Sequence, residues 1–354
     1  MPLEVIVVGA GIGGLCAAVA LQQAGHSVKI FERSRFAAEV GAALLITPNG
    51  ERVLSRLGFD FKRARADDML SFEVLDGVTF KQLHRAELIN AREEYGAPLY
   101  TVHRVDMHNE LLHLTSTLDL RLSSKVAAAD AEQGLIVLED GTQHHADLII
   151  GADGLHSVLR GVVLGDQDAA KSTPGQVQNF AGIHESLHTE GDDLKALMLA
   201  EFGHYHPSLV HIINMAPDVT VWPLSYHDPL PIWTRGKVAL LGDAAHPMLP
   251  FGAQGANQAI EDAGALGALF SNGESVADVP SRLRLFEQVR RLRASRVQSL
   301  SRVRLGKEKE VEDRVRLYAE PPNSKVPTSF AERLSHDYKF DVYAVCKEAL
   351  SKKD

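Results

Sequence analysis

Residues 3–33 read LEVIVVGAGIGGLCAAVALQQAGHSVKIFER. Leu3 to Val8 is a short apolar run, the pattern of a parallel strand buried on both faces. Gly9, Gly11 and Gly14 follow in the spacing Gly-x-Gly-x-x-Gly. A helical stretch runs from Gly13 to Ala24, and Gly25 is a natural C-terminal stop for it. Ser27 to Phe31 is the next strand. Strand, glycine turn, helix and strand make a βαβ unit. Gly9 permits the tight turn, Gly11 lets the backbone approach a pyrophosphate, and Gly14 lets helix and strand pack closely. The helix N-terminus offers free N–H groups and the positive end of its dipole to phosphate. Glu32 closes the second strand, near the spacing of a carboxylate that binds a ribose diol. The plain alternative is a glycine-rich turn with no ligand. Strand, helix and Glu32 together favour nucleotide binding, without separating FAD from NAD.

Two further motifs follow. Asp147-Leu-Ile-Ile-Gly-Ala-Asp153-Gly154 leads into Ser157 and Arg160, a strand ending in an acidic-glycine turn where ligands collect in open α/β sheets. The third is Gly242-Asp243-Ala244-Ala245-His246-Pro247, then Pro250, Gln254-Gly255-Ala256-Asn257 and Glu261-Asp262. Asp243 at a strand end can accept hydrogen bonds from a polyol. A helix from about Ala256 to Phe270 aims its N-terminus at the same region, a suitable partner for negative charge on a reduced flavin. Elsewhere the pattern predicts hairpins around Asp76-Gly77 (Leu70 to Leu75 with Val78 to Leu83) and around Asp140-Gly141. It predicts strands at Leu148 to Ile150 and Lys237 to Leu241, and a charged helical C-terminus from Ser281, broken at Pro321-Pro322.

In this order the three motifs resemble the FAD-dependent aromatic-ring hydroxylases, the salicylate-hydroxylase-like flavoprotein monooxygenases. The resemblance extends to Gly41-Ala42-Ala43 before Thr47-Pro48-Asn49, to His103-Arg104-Val105-Asp106, and to the stretch from Trp222-Pro223-Leu224 through Trp233-Thr234-Arg235-Gly236. It implies that Glu32 binds the adenosine ribose and that Arg104 contacts the phosphate–ribityl region. It implies that Asp153 and Gly154 serve FAD and NAD(P)H, and that Asp243 holds the ribityl chain. Ala43, Gly255 and Ala256 line the cofactor. The family's chemistry uses NADPH or NADH to reduce FAD, and O2 to supply the oxygen atom placed on an electron-rich ring. No protein nucleophile is required, and no catalytic residue is assigned.

The sequence departs from the family in three places. Ala43 and Ala253 stand where glycine is common, both small changes. After Ser172-Thr173-Pro174-Gly175 the chain passes through Gln176-Val177-Gln178 directly to Asn179-Phe180-Ala181-Gly182-Ile183-His184-Glu185, which resembles a later strand. Several tens of residues of the substrate region are missing, with the arginine and tyrosine that family members place over the flavin.

The expected fold is α/β: a Rossmann-like FAD-binding domain with an inserted β-rich substrate domain and a helical C-terminus. The FAD domain comprises residues 1–66, 96–160 and 236–280. Residues 67–95 form a substrate-domain hairpin, 161–235 the shortened substrate domain, and 281–354 the helical end. The alternatives to a hydroxylase are a flavin-binding protein that has lost hydroxylation and, less favoured, an NAD-dependent dehydrogenase, which leaves Asp243 without a role. The partners expected are a small aromatic substrate, O2 and NAD(P)H. A net charge of -9 argues against nucleic acid or an anionic membrane. Two cysteines, Cys16 and Cys346, imply no disulfide framework. No signal peptide or apolar run long enough to span a bilayer is read, so the expected location is cytoplasmic. His204, His206 and His211 invite a metal reading, but a packing role is favoured and no metal is expected. His246 reads as a positioning residue rather than an acid–base catalyst. Cys16 reads as a packing residue, and Arg290, Arg291, Arg293 and Arg296 as long side chains of a partly solvated helix.

Overall fold

The computed structural model describes residues 2–35, 43–165, 178–180, 193–217, 219, 224–271 and 275–352. Gly41-Ala42, Ser172 to Val177, Ala181 to Glu185 and Trp222-Pro223 lie outside the described residues. In chain order the first elements are β1 (Glu4–Val8), α1 (Ile12–Gln23), β2 (Ser27–Phe31), β3 (Ala43–Ile46), α2 (Pro48–Leu57), β4 (Asp67–Asp68), β5 (Ser71–Leu75) and β6 (Gln82–Glu87). Then come α3 (Ala91–Tyr95), β7 (Tyr100–His103), α4 (Arg104–Leu114), β8 (Asp119–Arg121), β9 (Val126–Asp130), β10 (Leu135–Leu138), β11 (Gln143–His145), β12 (Leu148–Gly151) and α5 (Val158–Leu164). The remainder is β13 (Gln178–Phe180), α6 (Leu194–Phe202), α7 (Pro207–Met215), β14 (Leu224–Tyr226), β15 (Thr234–Arg235), β16 (Val238–Leu240), α8 (Gly255–Leu269), α9 (Val279–Leu300), α10 (Glu312–Arg316), α11 (Phe330–Tyr338) and α12 (Val342–Ser351).

The central sheet runs β15-β16-β12-β1-β2-β8, and all its pairings are parallel except β15 with β16. Its middle strands are apolar because both faces are covered. Every residue of α1 from Gly14 to Leu21 is buried, since this helix lies between the sheet and α8. The α8 helix is buried from Asn257 to Leu266 and also receives α9 and α12. Cys16 on α1 and Cys346 on α12 are both sealed in this core.

The register brings the motifs together. Val8 pairs with both Phe31 and Gly151, and Gly151 pairs with Leu240. Four parallel strands therefore end at one edge, and the residues just beyond them are Gly9, Glu32, Asp153 and Asp243. This is where open α/β sheets bind ligands.

Three small sheets stand apart from the central one: β3-β7-β4, β5-β6 and β13-β14. Among the described residues neither β5 nor β6 gains a third strand. The hairpin differs from its sequence expectation. The Asp76 carboxylate accepts from the amides of Val78 and Thr79 and from the Thr79 hydroxyl, which extends the turn and delays β6 to Gln82. Two apolar helices, α6 and α7, occupy part of the segment between β13 and β14.

Candidate active site

Two abutting cavities of about 500 and 380 Å³ lie along the carboxyl edge of the sheet. They share Gly11, Arg104, Ala152 and Gly154, so they form the lobes of one elongated cleft. The smaller lobe holds Gly9, Glu32 and Asp153; the larger holds Gly14, Ala43, Asp243, Gly255 and Ala256. All eleven residues singled out from the sequence thus line one cleft.

The glycine turn is shaped by contacts that tolerate no side chain. Gly9 adopts φ +104, and a Cβ there would sit 2.2 Å from the Ala152 carbonyl; one on Gly14 would sit 2.0 Å from the Gly9 carbonyl. Around Gly11 the space is open, which leaves its backbone accessible from the cleft. One Glu32 carboxylate oxygen accepts from Ala10 N and the other from Ser34 N, each at 2.8 Å. The carboxylate is thereby oriented at the end of the smaller lobe. The ring of His108, buried on α4, donates Nε2–H to the Ala10 carbonyl at 2.8 Å and fixes the turn from behind.

Asp153, on the wall of the smaller lobe, also holds its own turn together. Its carboxylate accepts from the Ser157 hydroxyl at 2.5 Å and from the amides of Val158 and Leu159 at 2.8 and 3.1 Å. It ties the first amides of α5 and the N-cap residue Ser157 to the turn that presents Gly154. Asp243 contrasts with it. No protein donor reaches its side chain among the described residues, and it faces the larger lobe. The surrounding protein pushes its carboxyl up, against the pull of His246, Arg160 and Arg104.

Arg160 ties the second motif to the third, a role the sequence did not reveal. Its guanidinium is buried and donates to the carbonyls of Asp243, Ala244 and Leu155 at 2.8 Å and of Gly154 at 3.3 Å. One side chain therefore sets the spacing between Gly154 and Asp243. The Gly242–Ala244 turn is held from below by Asp262, whose Oδ2 accepts from Gly242 N at 3.0 Å and from His246 Nε2 at 2.7 Å. His246, 1% exposed and packed at 5.0 Å against the tilted ring of Trp233, is held in the interior by these contacts.

Asp262 and Glu261 lie on a helix buried on all sides, so they require internal counter-charges. Arg290 bonds Asp262 Oδ1 at 2.8 Å and pairs with Glu261; Arg293 reaches Glu261 through two bonds of 2.9 and 2.8 Å. This corrects the reading of α9: Arg290 and Arg293 are 0% and 2% exposed. Of the four arginines, Arg291, beside Glu287, and Arg296, which donates to the Tyr318 carbonyl, keep partial exposure. Glu261 also accepts from Asn49 Nδ2 at 2.6 Å, and the amide of Thr47 donates to Asn257. The start of α2 and the start of α8 are thus welded together, and the cleft walls they carry are fixed relative to one another. His206 caps α7 and stacks on Phe80 at 4.6 Å. Among the described residues no cluster of His, Cys, Asp or Glu is arranged to hold a metal ion. Among them, too, no helix is long and apolar enough to cross a membrane.

The cleft fits an extended dinucleotide with a polyol at its centre. A carboxylate marks one end, an open glycine turn and a helix N-terminus the middle, and an uncommitted aspartate with a second helix N-terminus the other lobe. Comparison with known proteins agrees. The family described as an FAD binding domain matches residues 2–178 and 224–301. An FAD-dependent monooxygenase of Aspergillus candidus, cfoG, is 31% identical over 427 aligned positions, covering 99% of this chain and 96% of that protein. Those positions outnumber the 354 residues here, so several tens of internal positions of that relative face no residue of this chain. Hispidin-3-hydroxylase of Neonothopanus nambi is 31% identical, over 82% of this chain and 86% of its own. The crystal structure of Klebsiella pneumoniae HpxO complexed with FAD and uric acid has a TM-score of 0.74 at 25% identity, covering 99% of this chain and 97% of that one. With its cleft, its three motifs and these relatives, the chain belongs to the FAD-dependent monooxygenases that hydroxylate aromatic compounds.

Proposed function

We propose that this chain uses NADPH or NADH and O2 to place a hydroxyl group on a phenolic or related aromatic ring. The observation that carries the proposal is the single cleft running from Glu32 to the start of α8, with Asp243 uncommitted on its wall. Bound there, FAD supplies the electron transfer and oxygen chemistry. Glu32 accepts from the ribose hydroxyls, and the Gly11 backbone with the start of α1 meets the phosphates. Arg104, at the junction of the lobes, adds a positive charge to the same stretch. Asp243 accepts from the ribityl chain, and the N-terminus of α8 at Gly255 and Ala256 balances negative charge on the pyrimidine edge. The rest of the larger lobe is apolar. Leu44, Leu45, Met248, Leu249 and Pro250 line it, and Arg104 and Asp243 are its only charged side chains among the described residues. An apolar wall suits an aromatic ring held flat against a flavin and keeps water from the reacting atoms.

The shortened middle supports a second reading on the same site, in which flavin binding persists and hydroxylation is lost. Among the described residues β5 and β6 pair only with each other; on this reading the shorter substrate region shields the flavin less, and part of the reducing power escapes as hydrogen peroxide. The test is a stoichiometry on the purified holoenzyme across a panel of phenolic acids: NAD(P)H consumed, peroxide formed, hydroxylated product formed. Product with any ring supports hydroxylation. Full recovery of NAD(P)H electrons as peroxide with every ring supports the second reading. A protein that retains no flavin overturns both.

A further inference from the structure

The loop from Leu249 to Ala253 closes the larger lobe, and its backbone is not relaxed. Ala253 lies at φ 52, ψ 31, the left-handed region that an L-alanine enters only at a cost. Leu249, Pro250 and Ala253 face the cleft. On the other side the loop meets Arg333 of α11. A Cβ on Gly252 would stand 2.2 Å from Arg333 Nη2 and 3.1 Å from its Cζ, so the guanidinium lies directly against the loop backbone.

Arg333 is 1% exposed, yet it is loosely paired. Its nearest carboxylate oxygens, on Glu308 and Asp337, stand at 3.6 and 3.9 Å, and the Val303 carbonyl at 3.5 Å. Arg333 Nη2 and Glu308 Oε2 have no hydrogen-bond partner among the described residues. A buried ion pair repays its desolvation only when its geometry is excellent, and this one falls short. Its guanidinium is instead packed into the space that a side chain at residue 252 would fill. Residue 333 also lies beyond the stretch matched by the FAD-binding family, which ends at 301.

We infer that Arg333 is a positioning residue for the flavin: it braces the Pro250–Ala253 loop from behind and holds Ala253 in its strained conformation. The inference rests on FAD occupying the cleft. Without the brace the loop relaxes toward an unstrained shape that fits the cofactor less well. Glycine at 253 removes the strain, so the brace should then matter less.

The test is a double-mutant cycle read by titrating apo-protein with FAD. Arg333→Lys keeps a charge beside Glu308 and Asp337 but loses the guanidinium that reaches Gly252. Gly252→Ala pushes the guanidinium away without altering it, and replaces Arg333→Lys in the cycle if that variant does not fold. Each should weaken FAD binding about tenfold, the scale of one left-handed alanine, and shift the visible spectrum of the bound flavin. In the Ala253→Gly background each should weaken it by about threefold or less. The same fold-loss in both backgrounds would show that Arg333 acts only on general stability, and the inference falls. Wild-type protein that binds no FAD would remove the reading on which it rests, a separate and recognisable outcome.

Discussion

Arg290→Met removes a wholly buried guanidinium and leaves its partners in place. In the native protein Arg290 bonds Asp262 Oδ1 and Gln258 Oε1 at 2.8 and 2.9 Å and pairs with Glu261. Methionine fills similar space without charge. Glu261 keeps Arg293, but Asp262 is left with Gly242 N and His246. Removing one member of a buried pair costs about 3–5 kcal/mol, roughly two to four decades in the folding equilibrium. Arg291 is the control. It sits one residue on, 27% exposed, with its Nε 3.5 Å from Glu287, and Arg291→Met should cost at most about 1 kcal/mol. Urea unfolding followed by tryptophan emission, to which Trp233, buried against His246 and Phe286, contributes, reads both variants. Running the series with and without FAD separates stability from affinity, since a ligand that binds only the folded state adds a calculable increment. Because Asp262 holds the Gly242 amide, Arg290→Met should also shrink that increment. Equal losses in the two variants, or a loss below about 1 kcal/mol at Arg290, would refute the claim that α9 neutralises α8 in the interior.

Asp243→Ala should strip most FAD from the purified protein, because a ribityl hydroxyl would lose its acceptor; unchanged occupancy by absorbance would remove Asp243 from the site. Glu32→Ala should weaken FAD binding by at least about tenfold, as charge-assisted bonds to two ribose hydroxyls disappear, whereas the surface change Glu139→Ala should leave the titration unaltered. Acid should destabilise the fold through α8. Burial alone would raise the Glu261 and Asp262 carboxyls, but Arg293 and Arg290 for Glu261, and His246 and Arg290 for Asp262, hold both below the ordinary range. Their stabilising contribution is therefore complete above the unfolded carboxylate pKa of about 4 and lost as pH falls through the lower folded values. Unfolding midpoints measured from pH 6 downward should be flat and then fall below about pH 4, and the fall should be smaller in Arg290→Met.

The cleft was legible in the sequence because each motif sits just after an apolar strand, and parallel strands in register must end together. Gly9, Glu32, Gly154 and Asp243 could be placed from that pattern alone. What the pattern could not show is which side chains hold the motifs to one another. Arg160 looks like one more residue of the second motif until its four carbonyl partners are seen on two separate loops. Arg290 and Arg293 read as solvated because periodicity marks the apolar side of a helix, and it is silent when buried carboxylates on a neighbour call for charge there. Asp153 was marked by its acidic-glycine turn, but its bonds to Ser157 and the first amides of α5 were not visible in that pattern. Ala253 passed as a small change because size is visible in a sequence and a left-handed φ is not.

Cys16 and Cys346 also act as timers. Burial pushes both thiols up, Cys346 to about 12, and only the thiolate attacks an alkylating reagent. Labelling must therefore wait until the chain opens. The two sites wait for different openings: α12 is the last helix docked on α8, whereas Cys16 lies between the sheet and α8 and is released only when the nucleotide fold itself comes apart. Modification of Cys346 ahead of Cys16 would report the C-terminal helix peeling away while the fold persists. Simultaneous modification would report a single cooperative unit, timed without adding a probe.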